Sequence, residues 1–262
     1  MTVKTEIKNQ IAKVIISRLE VHNAFNEEVI KRLTEIFSEL GKNKNIRLVI
    51  LSSEGKSFCA GGDLNWMKKS IDYTHEENVE DARNLAKMFK TINECPKPVI
   101  ARIQGTAIGG GVGLISVCDL SCAVSTAKFS LSEVRIGLIP AVISPFVMKK
   151  ILPGEARRYF LSSERFSADE AKRIGLISEV AIDETEIDKK ISEWTEAILA
   201  GGPEAISACK KMISDISSLN IDEALELSSQ ELAKRRASKE GQEGIKAFLE
   251  KRPPDWAGGI NR

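Results

Sequence analysis

The chain is predicted to fold as an α/β protein, on three observations. Two short and almost wholly apolar runs, residues 47–52 and 99–103, read as strands covered on both faces. An amphipathic helical pattern precedes each run, giving the strand–helix–strand order of parallel crossovers. Each run is followed by a glycine-rich turn that opens onto a new helix, FCAGGDL at residues 58–64 and IGGGVGL at residues 108–114.

Composition sets the outer bounds. The 262 residues are 42% hydrophobic and 29% charged, ordinary usage for a globular chain with a full core. A net charge of +1 with both signs interspersed leaves no basic stripe, and 5% aromatic residues give few stacking platforms. Nucleic acid is therefore not an expected partner. The first ten residues hold no apolar run suited to a signal peptide, and the most apolar stretch, residues 108–117, is too short to cross a bilayer. A cytoplasmic chain without membrane association is expected. Cysteines 59, 95, 118, 122 and 209 are scattered, with no CxxC and no metal-ligand spacing, which suggests reduced thiols. His22 and His75 are the only histidines, so no His-rich metal site is expected.

Taken in order, residues 3–7 and 12–17 alternate apolar and polar and read as two strands joined at residues 8–10. After a polar loop, Asn26 is positioned to cap a helix with Glu27 and Glu28 in its first turn. Val29, Leu33, Ile36, Phe37 and Leu40 then recur at helical spacing, and Gly41 is expected to end the element. Residues 53–62 are turn-rich, and Asp63 is expected to cap a short helix from Leu64. Residues 67–80, polar with Tyr73 and His75, read as a mobile flap. A helix follows over 79–93, closed off by Pro96 and Pro98. Strands are expected at 120–124, 129–131 and 179–182, and helices at 145–151, 154–161 and 168–174, the last ended by Gly175. From residue 184 onward only helices appear, at 185–200, 203–217, 221–237 and 238–252. The domain boundary is set near residues 201–203, dividing an α/β core of residues 1–200 from a helical region of residues 201–262.

The two glycine turns suggest the chemistry. If the strands before them are neighbours, both turns emerge at one sheet end, where α/β proteins build ligand sites. One amide from residues 61–63 and one from residues 109–111 could then bracket a single oxygen, an oxyanion hole for a carbonyl becoming an enolate. The alternative is that these glycines, with Gly105 and Gly113, only let a helix pack closely. Neither GxxxxGK[ST] nor GxGxxG is present, because position 114 is leucine, and neither histidine lies in a recognisable triad context. Glu133, flanked by Leu131, Val134, Ile136, Leu138 and Ile139, is the candidate acid–base group, since apolar surroundings raise a carboxyl pKa. The alternative is a surface glutamate paired with Arg135.

FCAGGDL (58–64), IQGTAIGGGVGL (103–114), CDL (118–120), FSLSEVRIGLIP (129–140), FSADEAKRIGLI (166–177) and FLEKRPP (248–254) follow one another at family spacing. Through them the chain resembles the crotonase superfamily, the enoyl-CoA hydratase/isomerase family, from Val14 to about Arg252. The resemblance implies a crotonase-like spiral of ββα units with a helical C-terminal trimerisation region, as a homotrimer or dimer of trimers. It implies Gly62 and Gly110 as the amide donors to a thioester carbonyl and Glu133 as the catalytic carboxylate. His22 and Ala24 match positions lining the adenine end of coenzyme A. Asn65 and Trp66 match the pantetheine or acyl channel, with Ala60, Gly61, Asp63, Leu64 and Gly109 completing the substrate-binding set. Phe248 and Lys251 match C-terminal positions that reach a CoA, one route being across a subunit interface. The resemblance implies no cofactor beyond the CoA of the substrate, and no metal.

One position departs from the pattern. Two-glutamate hydratases of this family carry their first acid three residues after the second glycine of the triplet, and here that position is Gly113. One carboxylate must do the proton work alone, or another group assists. Hydration, Δ3,Δ2 isomerisation and non-catalytic acyl-CoA binding are the three readings. GGDLNWMK and SEVRIGLIPAVISPFV look most similar to bacterial hydratases of the 3-methylglutaconyl-CoA type, which favours hydration of a branched or carboxylate-bearing 2-enoyl-CoA. PAVISP at residues 140–145 stands where PGxGG is more common and is expected to reshape the acyl pocket.

Overall fold

Alternation at the amino terminus produces a hairpin: β1 (Val3–Lys8) and β2 (Ile11–Ile16) pair antiparallel through Asn9 and Gln10, both at positive φ. The computed structural model describes residues 2–257. From β2 the chain crosses through α1 (Glu27–Lys42), capped by the Asn26 side chain accepting from the Val29 N–H, and returns as β3 (Leu48–Ser53). All six residues of β3 are buried, as its unbroken apolar run requires. The strand then bends into β4 (Ser57–Cys59), which belongs to a second sheet, and on to α2 (Leu64–Lys69) and α3 (His75–Asn93).

The same step is taken again. β5 (Val99–Ile103) lies parallel to β3, its sequel β6 (Thr106–Ile108) lies parallel to β4, and α4 (Gly110–Ser116) follows. A third step gives β7 (Leu120–Val124) beside β5, β8 (Lys128–Ser130) beside β6, and a 3₁₀ turn over Glu133–Ile136. After α5 (Ser144–Val147) and α6 (Pro153–Ser162), β9 (Phe166–Ser167) closes the second sheet. After α7 (Ala168–Arg173), β10 (Glu179–Ala181) closes the first, whose order is β1-β2-β3-β5-β7-β10. Strand, strand, helix is thus the repeating unit, as the resemblance implied. The chain finishes with α8 (Glu184–Ala200), α9 (Pro203–Ile216), α10 (Ile221–Ala237) and α11 (Lys239–Leu249). Among the described residues no helix is long and apolar enough to cross a membrane.

Several expectations need correction. β4 and β6 went unread because each is a short piece beside a glycine turn, made a strand by its pairing with the other. Residues 67–80 are largely helical rather than irregular: α2 runs to Lys69, a 3₁₀ turn covers Ser70–Asp72, and α3 begins at His75. A capping box starts α3 early, the Thr74 hydroxyl accepting from the Glu77 N–H and the Glu77 carboxylate accepting from the Thr74 N–H. Gly41 does not end α1; a Cβ there would meet Pro96 Cδ at 3.1 Å, so its smallness serves packing. α5 is a single turn rather than the helix expected over 145–151. Gly175, at φ +84°, does end α7.

Successive steps of the chain are drawn together backbone against backbone, the β5–β6 connection on the β3–β4 connection and the start of α4 on β4. A Cβ on Gly105 would lie 2.0 Å from the Lys56 carbonyl oxygen, and one on Gly111 2.3 Å from that of Cys59. Here the packing reading of the glycines holds. Gly111→Ala is expected to cost about 1–3 kcal/mol by overpacking. Urea unfolding would register this as a lower midpoint at unchanged slope, and an unmoved midpoint would contradict the close approach.

Candidate active site

Because β3 and β5 are parallel neighbours, the turns that end their sequels β4 and β6 leave on the same side. Phe25 grips the first turn: its N–H donates to the Gly61 carbonyl at 2.9 Å and its carbonyl accepts from the Asp63 N–H at 3.0 Å. Gly62 lies between those two bonds. Gly61 takes φ +91° and Gly109 φ +52° with ψ −116°, conformations that favour glycine. The Gly109 N–H is held by the Ser130 carbonyl at 2.8 Å, which fixes where α4 begins. Among the described residues no hydrogen bond takes up the N–H of Gly62 or of Gly110. The turns abut, a Cβ on Gly61 falling 3.6 Å from Gly110 N.

The third component comes from the 3₁₀ turn after β8. A Cβ on Gly109 would lie 3.0 Å from Glu133 Oε1, so the carboxylate rests against the glycine corner. Its Oε2 is buried and without a hydrogen-bond partner, and burial pushes the carboxyl pKa up. Pairing with Arg135 does not occur. That guanidinium donates instead to the hydroxyl and carbonyl oxygens of Ser163, each at 3.1 Å, and the Ser130 hydroxyl donates to the same carbonyl. Ser130 therefore braces Gly109 through its carbonyl, and its hydroxyl shares the Ser163 carbonyl that anchors Arg135 of the Glu133 loop. Gly62, Gly110 and Glu133, picked out on spacing and resemblance, are gathered into one corner.

Residues 6–259 match the family model described as enoyl-CoA hydratase/isomerase. The chain belongs to the enoyl-CoA hydratase/isomerase family. The short-chain-enoyl-CoA hydratase of Clostridium acetobutylicum is 30% identical over 253 residues, covering 94% of each chain. The crotonyl-CoA hydratase of Syntrophomonas wolfei is 30% identical over 253 residues, covering 96% of each. A solved enoyl-CoA hydratase from Shewanella pealeana aligns with a TM-score of 0.94 at 35% identity, covering 98% of this chain and 96% of that one.

Against the two-glutamate members of the family, position 113 is closed rather than vacant. A Cβ on Gly113 would lie 2.3 Å from Ile143 Cγ2 and 3.0 Å from Phe89 Cε1. The apolar surface continues by ring contacts, Phe89 with Phe146 (6.1 Å between centroids), Phe25 with Phe89 (6.3 Å) and Phe25 with Trp66 (6.1 Å). Trp66 is buried with its ring against Gly62, and its indole N–H donates to Asp81 Oδ1 of α3 at 3.1 Å.

The remaining residues of the family's binding pattern take different positions. His22, exposed and left-handed at φ 54°, sets its Nδ1 3.3 Å from the Ser57 hydroxyl, and its carbonyl accepts from the Ala60 N–H. Ala24 is buried, its N–H donating to the Val21 carbonyl at 3.0 Å and its carbonyl accepting from the Arg18 guanidinium. Leu64 and Asn65 stand exposed at the start of α2. The Asp63 carboxylate is not open to a ligand. It accepts from Arg18 at 2.8 Å and from the Asn65 N–H at 2.7 Å, as the cap of α2. Phe248 is 83% exposed at the end of α11, with Lys251 just beyond it, and among the described residues neither is hydrogen-bonded to the corner. Sequence reasoning missed Arg18, Asp81 and Ile143. An arginine leaving β2 ahead of the acid of GGD was the one available sign for the first, Ile143 was reached only as part of residues 140–145, and Asp81 had no sign.

Arg18 and Asp63 form a buried pair, their side chains 12% and 4% exposed, that joins the loop after β2 to the first glycine turn. Burial raises the Asp63 pKa, but the Asn65 N–H and Arg18 outweigh it and the net shift is downward. Its stabilisation is therefore complete above the ordinary aspartate value of about 3.9 and is lost as the pH falls through the lower folded value. Arg18→Met leaves the carboxylate buried and unpaired, at an expected cost of about 3–5 kcal/mol. Denaturant titrations at neutral pH check this; parent-like stability would mean that water reaches Asp63.

Proposed function

We propose that this chain hydrates a 2-enoyl-CoA through an enolate held by the Gly62 and Gly110 amides, with Glu133 as the acid–base group. The observation that carries the reading is the convergence of two unclaimed N–H groups and one unpartnered carboxylate oxygen on the Gly109 corner. The thioester carbonyl accepts from both amides, which favours electron density moving onto that oxygen. Ionised Glu133 takes a proton from water as the water oxygen bonds to C3 of the acyl chain, and the enolate forms. Glu133 then returns the proton to C2, the carbonyl re-forms, and the carboxylate is regenerated. Burial brings the Glu133 pKa nearer neutrality, where giving and taking a proton are better balanced.

A second reading, Δ3,Δ2 isomerisation, is favoured by the closed position 113. Moving a proton between C2 and C4 requires one carboxylate and no held water. The finer motif likeness supports a branched or carboxylate-bearing acyl group such as 3-methylglutaconyl. Exposed Leu225, Leu232, Ile245, Phe248 and Leu249 support self-association of the helical region of residues 201–262 into a homotrimer or dimer of trimers. In such an assembly Phe248 and Lys251 would approach a neighbour's CoA.

Offering crotonyl-CoA, 3-methylglutaconyl-CoA and a 3-enoyl-CoA to the purified protein separates the readings. Loss of the conjugated-thioester absorbance supports hydration, and its appearance from the 3-enoyl ester supports isomerisation; no change in any of the three defeats both. Glu133→Gln is expected to lower kcat by about 10²–10⁴-fold while CoA-ester binding stays near the parent value. The acid limb of kcat/KM is expected above the ordinary glutamate pKa of about 4.3, because activity needs the ionised base and burial raises its pKa. A limb at or below that value would remove Glu133 from the role.

A further inference from the structure

We infer that Ile143 is the specificity-determining residue of this site, setting the steric limit at C3 of the acyl chain. The inference rests on the reading of the corner as an enoyl-CoA centre. Gly109 and Gly113 are one helical turn apart, the Gly113 N–H donating to the Gly109 carbonyl at 3.2 Å. Gly109 is the N-cap of α4 and Gly113 lies within the helix, so the start of α4 meets the Glu133 carboxylate at its cap and Ile143 Cγ2 one turn on.

A thioester whose oxygen sits at the Gly110 amide extends its C2 and C3 from that point. Glu133 can serve C3 only if C3 lies within reach of its carboxylate, and the next surface along α4 is the Ile143 side chain. Any substituent on C3, or chain beyond it, directed along α4 meets that isoleucine. Ile143 has little freedom to withdraw. It is 3% exposed, it immediately precedes α5, and Phe89 behind it is itself packed on Phe146. Its branching at Cβ restricts χ1 further. Residues 140–145, which stand where PGxGG is more common, contribute Ile143 to this surface.

The test compares the wild-type chain with Ile143→Ala and Ile143→Val, using paired esters that differ at and beyond C3. Turnover is measured with crotonyl-CoA, 3-methylcrotonyl-CoA and 2-hexenoyl-CoA, and binding by calorimetry with the saturated butyryl, 3-methylbutyryl and hexanoyl esters. One methylene in an apolar pocket is worth about 10–200-fold. Ile143→Ala is therefore expected to raise preference for the larger esters over the four-carbon ester by about tenfold or more. Ile143→Val moves the same ratio in the same direction by a smaller factor. Were the alanine variant not to fold, the valine variant, short by a single methyl, carries the comparison. A folded variant whose preference matches wild type in both turnover and binding overturns the inference, since a residue that only fills the core would leave ratios unmoved. If wild type binds the saturated esters but converts no enoyl ester, the proposed function fails, and the binding ratios still decide the role of Ile143.

Discussion

Everything at this site depends on how closely two lengths of main chain approach one another. The Cys59 carbonyl lies where a Gly111 side chain would be, and the Ile108 carbonyl lies 3.0 Å from where one on Gly61 would be. Such contact is available only because one side of each crossing is a glycine, with no Cβ to hold the other main chain off. It brings the Gly62 and Gly110 amides into one corner while their neighbours are bound: Gly61 and Asp63 to Phe25, Gly109 to Ser130. Amides left free beside amides already engaged are held in direction by the bonds around them. Preorganisation of this kind is what lets a hydrogen-bond donor favour a developing charge over a neutral carbonyl.

Charge is distributed to leave one carboxylate without a partner. Arg18 neutralises Asp63, Arg135 is occupied by Ser163, and Trp66 engages Asp81, so the polar groups around the corner are paired away from it. Among the carboxylates of the described residues, Glu133 alone carries a buried oxygen that nothing satisfies. An unsatisfied buried acceptor is costly to a fold, and that cost is the ordinary signature of a group kept available for a substrate. The bonds that hold its loop run through Ser130 and Ser163, so the carboxylate is positioned without being neutralised.

Closure of position 113 changes what the lone carboxylate must do. Where two-glutamate relatives place a second acid, this chain packs Ile143 and Phe89 against a glycine. Water near C3 would then be oriented by Glu133 and by the apolar surface rather than by a pair of carboxylates. On the proposed reading, the isoleucine that fills the space beside Gly113 also bounds the acyl chain, which would tie the departure in chemistry to a restriction in shape.

Much of this was legible without coordinates. The continuous apolar runs gave buried parallel strands, Asn26 and Asp63 gave helix starts, and two glycine turns at matching places gave the corner, because periodicity, capping and conformational freedom are local properties. The flap expected over residues 67–80 was lost to a capping box between Thr74 and Glu77, itself a local signal that polar composition masked. Strands β4 and β6 were beyond local reading, since three residues become a strand only when a neighbour supplies the hydrogen bonds. That Glu133 meets Gly109, that Ile143 fills the space at Gly113, and that Arg18 finds Asp63 are facts of tertiary structure alone. Each joins segments between 24 and 45 residues apart, a separation across which no sequence period runs, so only the packed sheets decide it.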